Sequence, residues 1–250
     1  MALSTAGMIV ALLGLLPIAG ARGDDGVLAP YHADYSLARN SLTLGIAHFS
    51  LGPDGAGSYL YKSVSHATGL AALFASDVIT QKSRFEVVDG QPRPLSYSYT
   101  QTGGKHEQTE ETRFDWSKML AHSEWNGHSR NGALKPGVSD VFLIQLLLAV
   151  DTSEAKLAQQ YVLLNHGEAT SYQPRQLEAQ KMKVDGTVVD TTVLELKDPK
   201  KGRTISLWLA PALHYLPVQI RQSEPGKATF TLTMDDISFD SAAPSAASKH

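Results

Sequence analysis

The sequence predicts a mostly β protein, built on an antiparallel sheet and carrying one buried apolar helix at about residues 139–150. The main observation is a two-residue period of apolar and polar side chains. Phe230, Leu232 and Met234, for example, are each followed by a polar residue. Because successive side chains of a strand point to opposite faces, this period gives each strand one apolar face and one polar face. Such strands suit an antiparallel sheet with one face on the core and the other in water.

Turn signals between the alternating runs are the second observation. Asp89-Gly90, Asn126-Gly127 and Asp185-Gly186 favour two-residue hairpin turns, in which both turn positions need a positive φ. Between the turns, strands are expected near residues 31–38, 42–51, 57–66, 78–88, 93–102, 107–116, 119–125, 128–134, 158–166, 168–183, 187–197, 203–210, 214–223 and 227–239.

Residues 138–150 break the two-residue period, and this is the third observation. Ser139 can cap the N-terminus of a helix here, and Asp140 suits its first turn. The helix is expected to be buried, because apolar residues occupy most of its circumference. These residues are Val141, Phe142, Ile144, Leu146, Leu147, Leu148 and Val150. A second, short helical turn is expected near residues 68–74.

The N-terminal stretch, residues 1–21, has the pattern of a secretory signal peptide. It carries no charge, and its apolar run at 8–16 is followed by Pro17 and by Ala19-Gly20-Ala21. We expect cleavage after Ala21. The alternative, an uncleaved anchor, would need about 20 uninterrupted apolar residues. The prediction is thus a signal peptide at 1–21, one β-rich domain at 22–240 and a disordered Ala/Ser-rich tail at 241–250.

Composition excludes several classes of protein. The chain contains no cysteine, which rules out disulfides, thiolate metal sites, a cysteine nucleophile and a lipid-modified N-terminal cysteine. The formal charge is −3 and no basic block is present, so nucleic-acid binding has no electrostatic basis. The expected product is a soluble periplasmic protein, with no membrane span after cleavage.

No sequence motif points to catalysis or to a cofactor. The chain lacks a Gly-x-Ser-x-Gly elbow, a phosphate-binding glycine loop and a dinucleotide fingerprint. The nine histidines are scattered. His122, Glu124 and His128 could meet across a hairpin, but zinc sites need three or four convergent ligands, and solvated side chains are the favoured interpretation.

The acidic run Glu107, Glu110 and Glu111 is also interpreted as a solvated strand end, because a catalytic carboxyl pair needs one buried member. A Ser–His–Asp triad could form only from residues that are far apart in the sequence and meet in the folded chain. The sequence therefore predicts no catalytic, metal or cofactor-binding residues and no cofactor, and it leaves the ligand-binding residues unassigned.

One segment resembles a known family. Residues 208–220 read WLAPALHYLPVQI, which resembles the closing signature of the bacterial domain-of-unknown-function family numbered 3108. Shorter stretches fit the family in the expected order: YSL at 35–37, LGIA at 44–47, ATGL at 67–70, PLSY at 94–97 and FDW at 114–116. The resemblance spans residues 31–238.

The resemblance implies a cell-envelope protein with a large curved antiparallel sheet, or open half-barrel, and no agreed activity. The architecture is similar to half-barrel proteins that carry lipoproteins across the periplasm, which is an analogy of fold alone. In the signature itself, Pro211 should end one strand and Pro217 should lie near the start of the next. The segment is therefore either a hairpin corner or a ligand-facing wall.

Three functions follow as hypotheses. The first is a non-enzymatic periplasmic protein that binds or carries an apolar or lipidic ligand, in a cleft left between the helix and the mouth of the barrel. In the opposing interpretation of the helix, Phe142, Ile144, Leu146 and Leu147 simply complete the core. The second hypothesis is a structural or assembly factor acting through contacts with envelope proteins. The third is a hydrolase of envelope polymers.

Overall fold

The computed structural model describes residues 26–73, 77–104 and 107–240. The expected signal peptide at 1–21 and the expected tail at 241–250 lie outside these ranges.

Strands dominate the described chain, as the alternation predicts. They are β1 (Tyr31–Arg39), β2 (Leu42–Pro53), β3 (Ser58–Ala67), β4 (Val78–Val88), β5 (Gln91–Thr102), β6 (Gln108–Asp115), β7 (Leu120–Trp125), β8 (His128–Ala133), β9 (Val138–Asp140), β10 (Tyr161–Asn165), β11 (Glu168–Val184), β12 (Thr187–Lys197), β13 (Thr204–Ala210), β14 (Leu216–Ser223) and β15 (Phe230–Phe239). One α-helix, α1 (Ile144–Ser153), and the short 3₁₀ turns Gly69–Leu73 and Pro211–Leu213 complete the elements of the described residues.

All 15 strands form one open sheet. Its order is β8-β7-β6-β5-β4-β3-β2-β1-β15-β14-β13-β12-β11-β10-β9, so β8 and β9 are the two edges. Each neighbouring pair is antiparallel except β9 and β10, which are parallel. The first and last strands pair in the middle, with Tyr31 opposite Phe239. The predicted antiparallel, open architecture is confirmed.

Contacts between strands far apart in this order show that the sheet curls. The backbone N–H of His166, in the β10–β11 turn, donates a 2.9 Å hydrogen bond to Glu110 Oε1 on β6. The His166 ring also stacks on the Trp125 ring of β7, with centroids 5.4 Å apart and planes 14° from parallel. The N-terminal half of the sheet (β1–β8) and its C-terminal half (β9–β15) therefore enclose a common interior.

The three predicted hairpin turns form with the expected backbone. Asp89, Asn126 and Asp185 have φ values of 52°, 45° and 42°, and the glycines that follow them are also at positive φ. Each turn joins consecutive antiparallel strands, so these dipeptides fix the register of the hairpins.

The position predicted for the helix is wrong at its start. Residues 138–140 form β9, with Val138 opposite Val162 of β10, and α1 begins only at Ile144. Ser139 caps nothing and is buried in β9. Asp140 precedes the helix, and its Oδ1 accepts hydrogen bonds from the backbone N–H groups of Phe142 (2.8 Å) and Leu143 (2.7 Å). The reason is non-local, because β10 supplies backbone partners that stabilise an extended segment here.

The helix is buried between the two halves of the sheet. Phe142, just before α1, stacks on Tyr61 of β3, with centroids 4.2 Å apart, and joins Leu143 and Leu146 in one apolar cluster. Ile144, Leu147 and Leu148 pack in a second cluster. That cluster includes Leu194, Leu207 and Ile220 of the C-terminal half. The four helix residues singled out in the sequence thus do complete the core.

The segment 208–220 forms a corner between β13 and β14. Strand β13 ends at Ala210, directly before Pro211, and Pro217 is the second residue of β14. His214 and Tyr215 have positive φ values of 54° and 59°, which reverse the chain. The buried Tyr35 hydroxyl of β1 donates a 2.7 Å hydrogen bond to the Pro217 carbonyl. The corner interpretation therefore describes the segment.

Candidate ligand-binding site

A cleft of about 760 Å³ opens at one end of the interior, and we call it the end cleft. It lies where the C-terminal part of α1 approaches the β4–β5 turn, the β6–β7 turn and the beginning of β10. The residues that line it are Val88, Asp89, Gln91, Pro92, Arg93, Trp116, Met119, Pro136, Gly137, Val138, Leu147, Asp151, Lys156, Ala158, Gln160, Tyr161 and Val162.

Apolar side chains from opposite halves of the sheet face this cleft. Leu147 of α1 lies on one side, beside Val138 and Val162, which are paired across β9 and β10. Trp116 and Met119, at the β6–β7 turn, line it from the N-terminal half. The packing of the helix therefore leaves an apolar recess at this end, which the apolar-ligand hypothesis requires.

Trp116 is held in a fixed orientation. Its indole N–H donates a 2.7 Å hydrogen bond to the Pro94 carbonyl. The Arg93 guanidinium lies over the indole ring, 5.4 Å from its centroid, and also pairs with Glu86 Oε1 at 2.7 Å. Because a cation over an aromatic face is attracted to it, Arg93 stabilises the indole as a rigid aromatic wall.

Asp151 and Tyr161 form a hydrogen-bonded polar pair in the wall of the end cleft. Tyr161 donates a 2.6 Å hydrogen bond to Asp151 Oδ2, joining the last turn of α1 to β10. Burial raises the pKa of Asp151, because water is withdrawn from its charged form. The Lys156 ammonium, which also lines the end cleft, lies 3.1 Å from the Glu154 carboxylate. The end cleft therefore presents apolar surface together with a few polar and charged side chains.

A smaller cavity of about 240 Å³, which we call the polar cavity, lies at the opposite end of the interior. Strand β5 supplies Arg93 to the end cleft and Tyr97 and Tyr99 to the polar cavity. Strand β10 likewise runs from Tyr161 at one end to Asn165 at the other. The packed core, which includes Phe142, separates the two recesses.

Glu110 in the polar cavity corrects the interpretation of the acidic run. Its neighbours Glu107 and Glu111 are exposed as expected, but Glu110 is only 6% exposed. Its carboxylate accepts the His166 backbone N–H and lies 3.2 Å from His166 Nε2. Burial raises the pKa of Glu110. The alternation contained the signal, because Glu110 shares its strand face with the core residue Phe114.

The Glu110–His166 pair is the convergence of ionisable groups that a hydrolase would need. Within residues 26–73, 77–104 and 107–240, neither side chain is hydrogen-bonded to a serine or threonine hydroxyl. The pair therefore offers a proton donor and acceptor without an attached nucleophile.

Asp140 is a second buried carboxylate that sequence reasoning missed, since it was assigned to the first turn of a helix. Ser83 Oγ of β4 donates a 2.8 Å hydrogen bond to its Oδ1, so the contact bridges the two halves of the sheet. Its Oδ2 is buried without a hydrogen-bond partner. Burial raises the pKa of Asp140 to about 6.

The histidine hairpin has the solvated character expected of it. His122 lies 3.1 Å from Glu124 and 2.7 Å from Asn131 Oδ1, all on exposed side chains. His128 packs against the Trp125 ring instead, with centroids 5.8 Å apart. Across residues 26–73, 77–104 and 107–240, no group of three or more His, Cys, Asp or Glu side chains is arranged to hold a metal ion.

Within the same ranges, no helix has the length and hydropathy that crossing a membrane would require.

Two solved structures match this chain at low sequence identity. The first is a β-barrel-like protein of the domain of unknown function DUF1849 from Brucella abortus, with a TM-score of 0.53 and 11% identity. The match covers 85% of this chain and 98% of that one, and it shows a shared fold. The second is MucB in complex with MucA(peri), at 11% identity over 86% of this chain and 94% of that one. Its TM-score of 0.17 is too low to support an argument.

No curated protein matches the chain. The family described as "Protein of unknown function (DUF3108)" matches residues 31–234, which is most of the chain and includes the closing signature at 208–220. The family expected from the sequence is confirmed, and this chain belongs to the DUF3108 family.

Proposed function

We propose that this protein is a non-enzymatic, exported protein of the periplasm, and that its end cleft binds an apolar chain such as a lipid acyl group. The observation that carries the proposal is the end cleft, whose volume of about 760 Å³ is lined by Leu147, Val138, Val162, Trp116 and Met119. That volume falls within the roughly 300–1,000 Å³ of typical small-molecule sites. The uncharged apolar pattern of residues 1–21 supports the export part of the proposal.

The chemistry of the wall favours an apolar chain over a charged ligand. Arg93 is paired with Glu86, and Lys156 with Glu154. Both cations of the wall therefore already have a carboxylate partner within the protein. Each methylene that leaves water contributes about 0.8 kcal/mol. Roughly ten methylenes in the end cleft would therefore gain about 8 kcal/mol, before the entropic cost of association is subtracted.

Quenching of tryptophan fluorescence by a dibrominated stearic acid tests the proposal, because bromine quenches an indole that it touches. Trp116 lines the end cleft, whereas Trp125 and Trp208 lie outside it. We expect saturable quenching in the natural chain and its loss in Trp116→Phe. Absence of saturable quenching, or equal quenching in Trp116→Phe, would overturn the proposal.

The variant Met119→Asp isolates the apolar wall from the fluorophore. Met119 is 39% exposed and has a φ of 51°, a conformation that aspartate tolerates, so the fold should persist. A carboxylate here should weaken binding of the acyl probe by tenfold or more, because the bound chain would take water away from an unpaired charge. Val188→Asp is the matched control, since Val188 on β12 is 62% exposed and lies outside the end cleft.

Export is tested separately. N-terminal sequencing of protein recovered from the periplasm should begin at Arg22, and Ala21→Tyr should block processing, because the peptidase accepts small residues before the cleavage point. Recovery of the unprocessed chain from the cytoplasm alone would contradict this part of the proposal.

An assembly factor of the envelope is the competing candidate, and the edge strand β8 is the observation that favours it. β8 ends the sheet, and most of its side chains are exposed, from His128 to Ala133. An unpaired edge can add a strand from another protein. A photo-crosslinker at Ser129 should then capture an envelope protein that the same crosslinker at exposed Lys82, on the interior strand β4, does not capture. Equal capture at both positions would remove this candidate.

A further inference from the structure

We propose that the polar cavity is a second binding site, and that it takes a small neutral ligand rich in hydroxyl groups, of the size of one or two sugar rings. The cavity lies at the opposite end of the interior from the end cleft and shares none of its lining residues. The inference therefore stands independently of the proposed acyl-binding function.

The hydrogen-bonding groups of the cavity wall are mainly phenols and amides. Tyr97 donates to Gln81 Oε1 at 3.2 Å, and Tyr99 donates to Gln101 Oε1 at 2.9 Å. Each phenol oxygen can still accept a hydrogen bond, and the amide NH₂ of Gln81, which lines the cavity, can still donate one. A sugar hydroxyl both donates and accepts, so a wall that offers both roles matches it.

The charges in the wall are balanced in pairs. Glu110 accepts the His166 backbone N–H and lies 3.2 Å from His166 Nε2, and Arg203 pairs with Glu224 at 3.2 Å. An ionic ligand would have to compete with one of these partly buried pairs and leave its partner uncompensated, which is costly. A neutral ligand can bind without breaking either pair.

Part of the cavity wall is apolar. Val141, Leu163 and Ile205 contribute aliphatic surface, and Tyr172 adds a buried aromatic ring. A sugar ring presents a face of C–H groups as well as a rim of hydroxyls. A wall that combines aliphatic surface with phenols and amides suits both parts of such a ligand.

The volume of the polar cavity and the number of carboxylates in its wall narrow the class of ligand further. A volume of about 240 Å³ lies just below the range of roughly 300–1,000 Å³ that is typical for drug-sized ligands. Among the described residues that line the cavity, Glu110 is the one carboxylate. Glycoside hydrolysis generally uses two carboxyl groups, so the cavity is suited to binding a sugar and not to cleaving it.

Ligand-observed NMR on the full chain tests the inference, with glucose, N-acetylglucosamine and maltose as probes. We expect saturation transfer to at least one sugar at millimolar concentration. Tyr99→Phe and Gln222→Leu should each weaken that binding by about fivefold, as expected for one lost hydrogen bond. Gln222 is exposed, and Tyr99→Phe keeps the half-buried aromatic ring, so the fold should persist.

Tyr59→Phe is the matched control, because Tyr59 stacks on Phe85 and does not line the cavity. No transfer to any of the three sugars would overturn the inference. Equal sugar binding in the natural chain, Tyr99→Phe and Gln222→Leu would also overturn it. The dibrominated acyl probe is measured on the same samples. Sugar binding without acyl binding would refute only the proposed function, and the reverse result would refute only this inference.

Discussion

Asp140 shows how one buried side chain can set the pH dependence of stability. Its Oδ1 accepts hydrogen bonds from two backbone N–H groups and from Ser83, while its Oδ2 has no partner. Burial raises its pKa from 3.8 to about 6. Because the folded pKa exceeds the unfolded one, this group's stabilising contribution is full below pH 3.8 and is lost as the pH rises through 6. A shift of this size corresponds to about 3 kcal/mol.

We expect Asp140→Asn to remove this dependence. The amide keeps an oxygen that can accept the three hydrogen bonds, but it does not ionise. Relative to Asp140→Asn, the natural chain should lose about 3 kcal/mol of unfolding free energy between pH 4 and pH 7. Urea denaturation at pH 4, 5.5 and 7 measures the difference. Asp236→Asn, at an exposed position of β15, is the control, and parallel pH curves for the natural chain and Asp140→Asn would contradict the prediction.

At the scale of elements, α1 acts as the central piece of the core. Its two sides belong to two apolar clusters, one that contains the buried aromatic residues of the N-terminal half and one that is mostly aliphatic and lies in the C-terminal half. The helix therefore does not depend on its own propensity, and its stability comes from packing against both halves of the sheet. Losing volume on either side of the helix should weaken the whole fold.

Leu146→Ala tests this dependence. Leu146 is fully buried in the cluster that contains Phe142 and Tyr61. Truncation should lower the unfolding free energy by about 2–5 kcal/mol, through lost apolar burial and the cavity left behind. Leu42→Ala provides the comparison, because Leu42 is 67% exposed and should change stability by about 0.5 kcal/mol or less. Chemical denaturation of both variants checks the prediction, and similar losses would refute it.

The elements differ in how far the sequence alone predicts them. Hairpins follow from neighbouring residues, and so the turns at Asp89, Asn126 and Asp185 and the strands beside them form where they are expected. Strand β9 was missed because its three residues are extended only through pairing with β10, more than twenty residues later. No local pattern records that pairing. The apolar content of α1 predicted its burial, but not the residue at which it begins.

The sites differ in the same way. Alternation places Glu110 on the core face with Phe114, so its burial was within reach of sequence reasoning. The end cleft was not, since it forms only where Trp116 and Met119 meet Leu147 across the curled sheet. The partner of Glu110, His166, lies 56 positions away and belongs to a different hairpin.

At the scale of the whole molecule, the contact between Glu110 and His166 joins β6 to the β10–β11 turn, although these strands are far apart in the order of the sheet. The sheet is open, with β8 and β9 as its edges, and the β10–β11 turn lies against β6 and β7. Gly167 next to His166 also packs closely on Arg130 of β8, where an added Cβ would come within 2.9 Å of the arginine Cβ. Side chains and one backbone N–H therefore hold the curled sheet together here.

Glu110→Ala should loosen this region without unfolding the protein. The His166 N–H would lose its charged acceptor, and its hydrogen exchange should accelerate by about tenfold, as expected for one charge-assisted hydrogen bond. Amides of β8 should accelerate with it, while those of β1 and β15 should not. Glu111→Ala is the control, because Glu111 is the exposed next residue on the opposite strand face. Unchanged exchange at His166 in Glu110→Ala would contradict this account.

The pairing of β1 with β15 has a consequence for the order in which the molecule assembles. Strands β2–β8 follow one another as hairpins and can form as soon as each has been synthesised. The outer side of β1 stays unpaired until residues 230–239 are available, because its partner on that side is β15. A folding chain therefore keeps an incomplete sheet edge on β1 until these distant residues have docked.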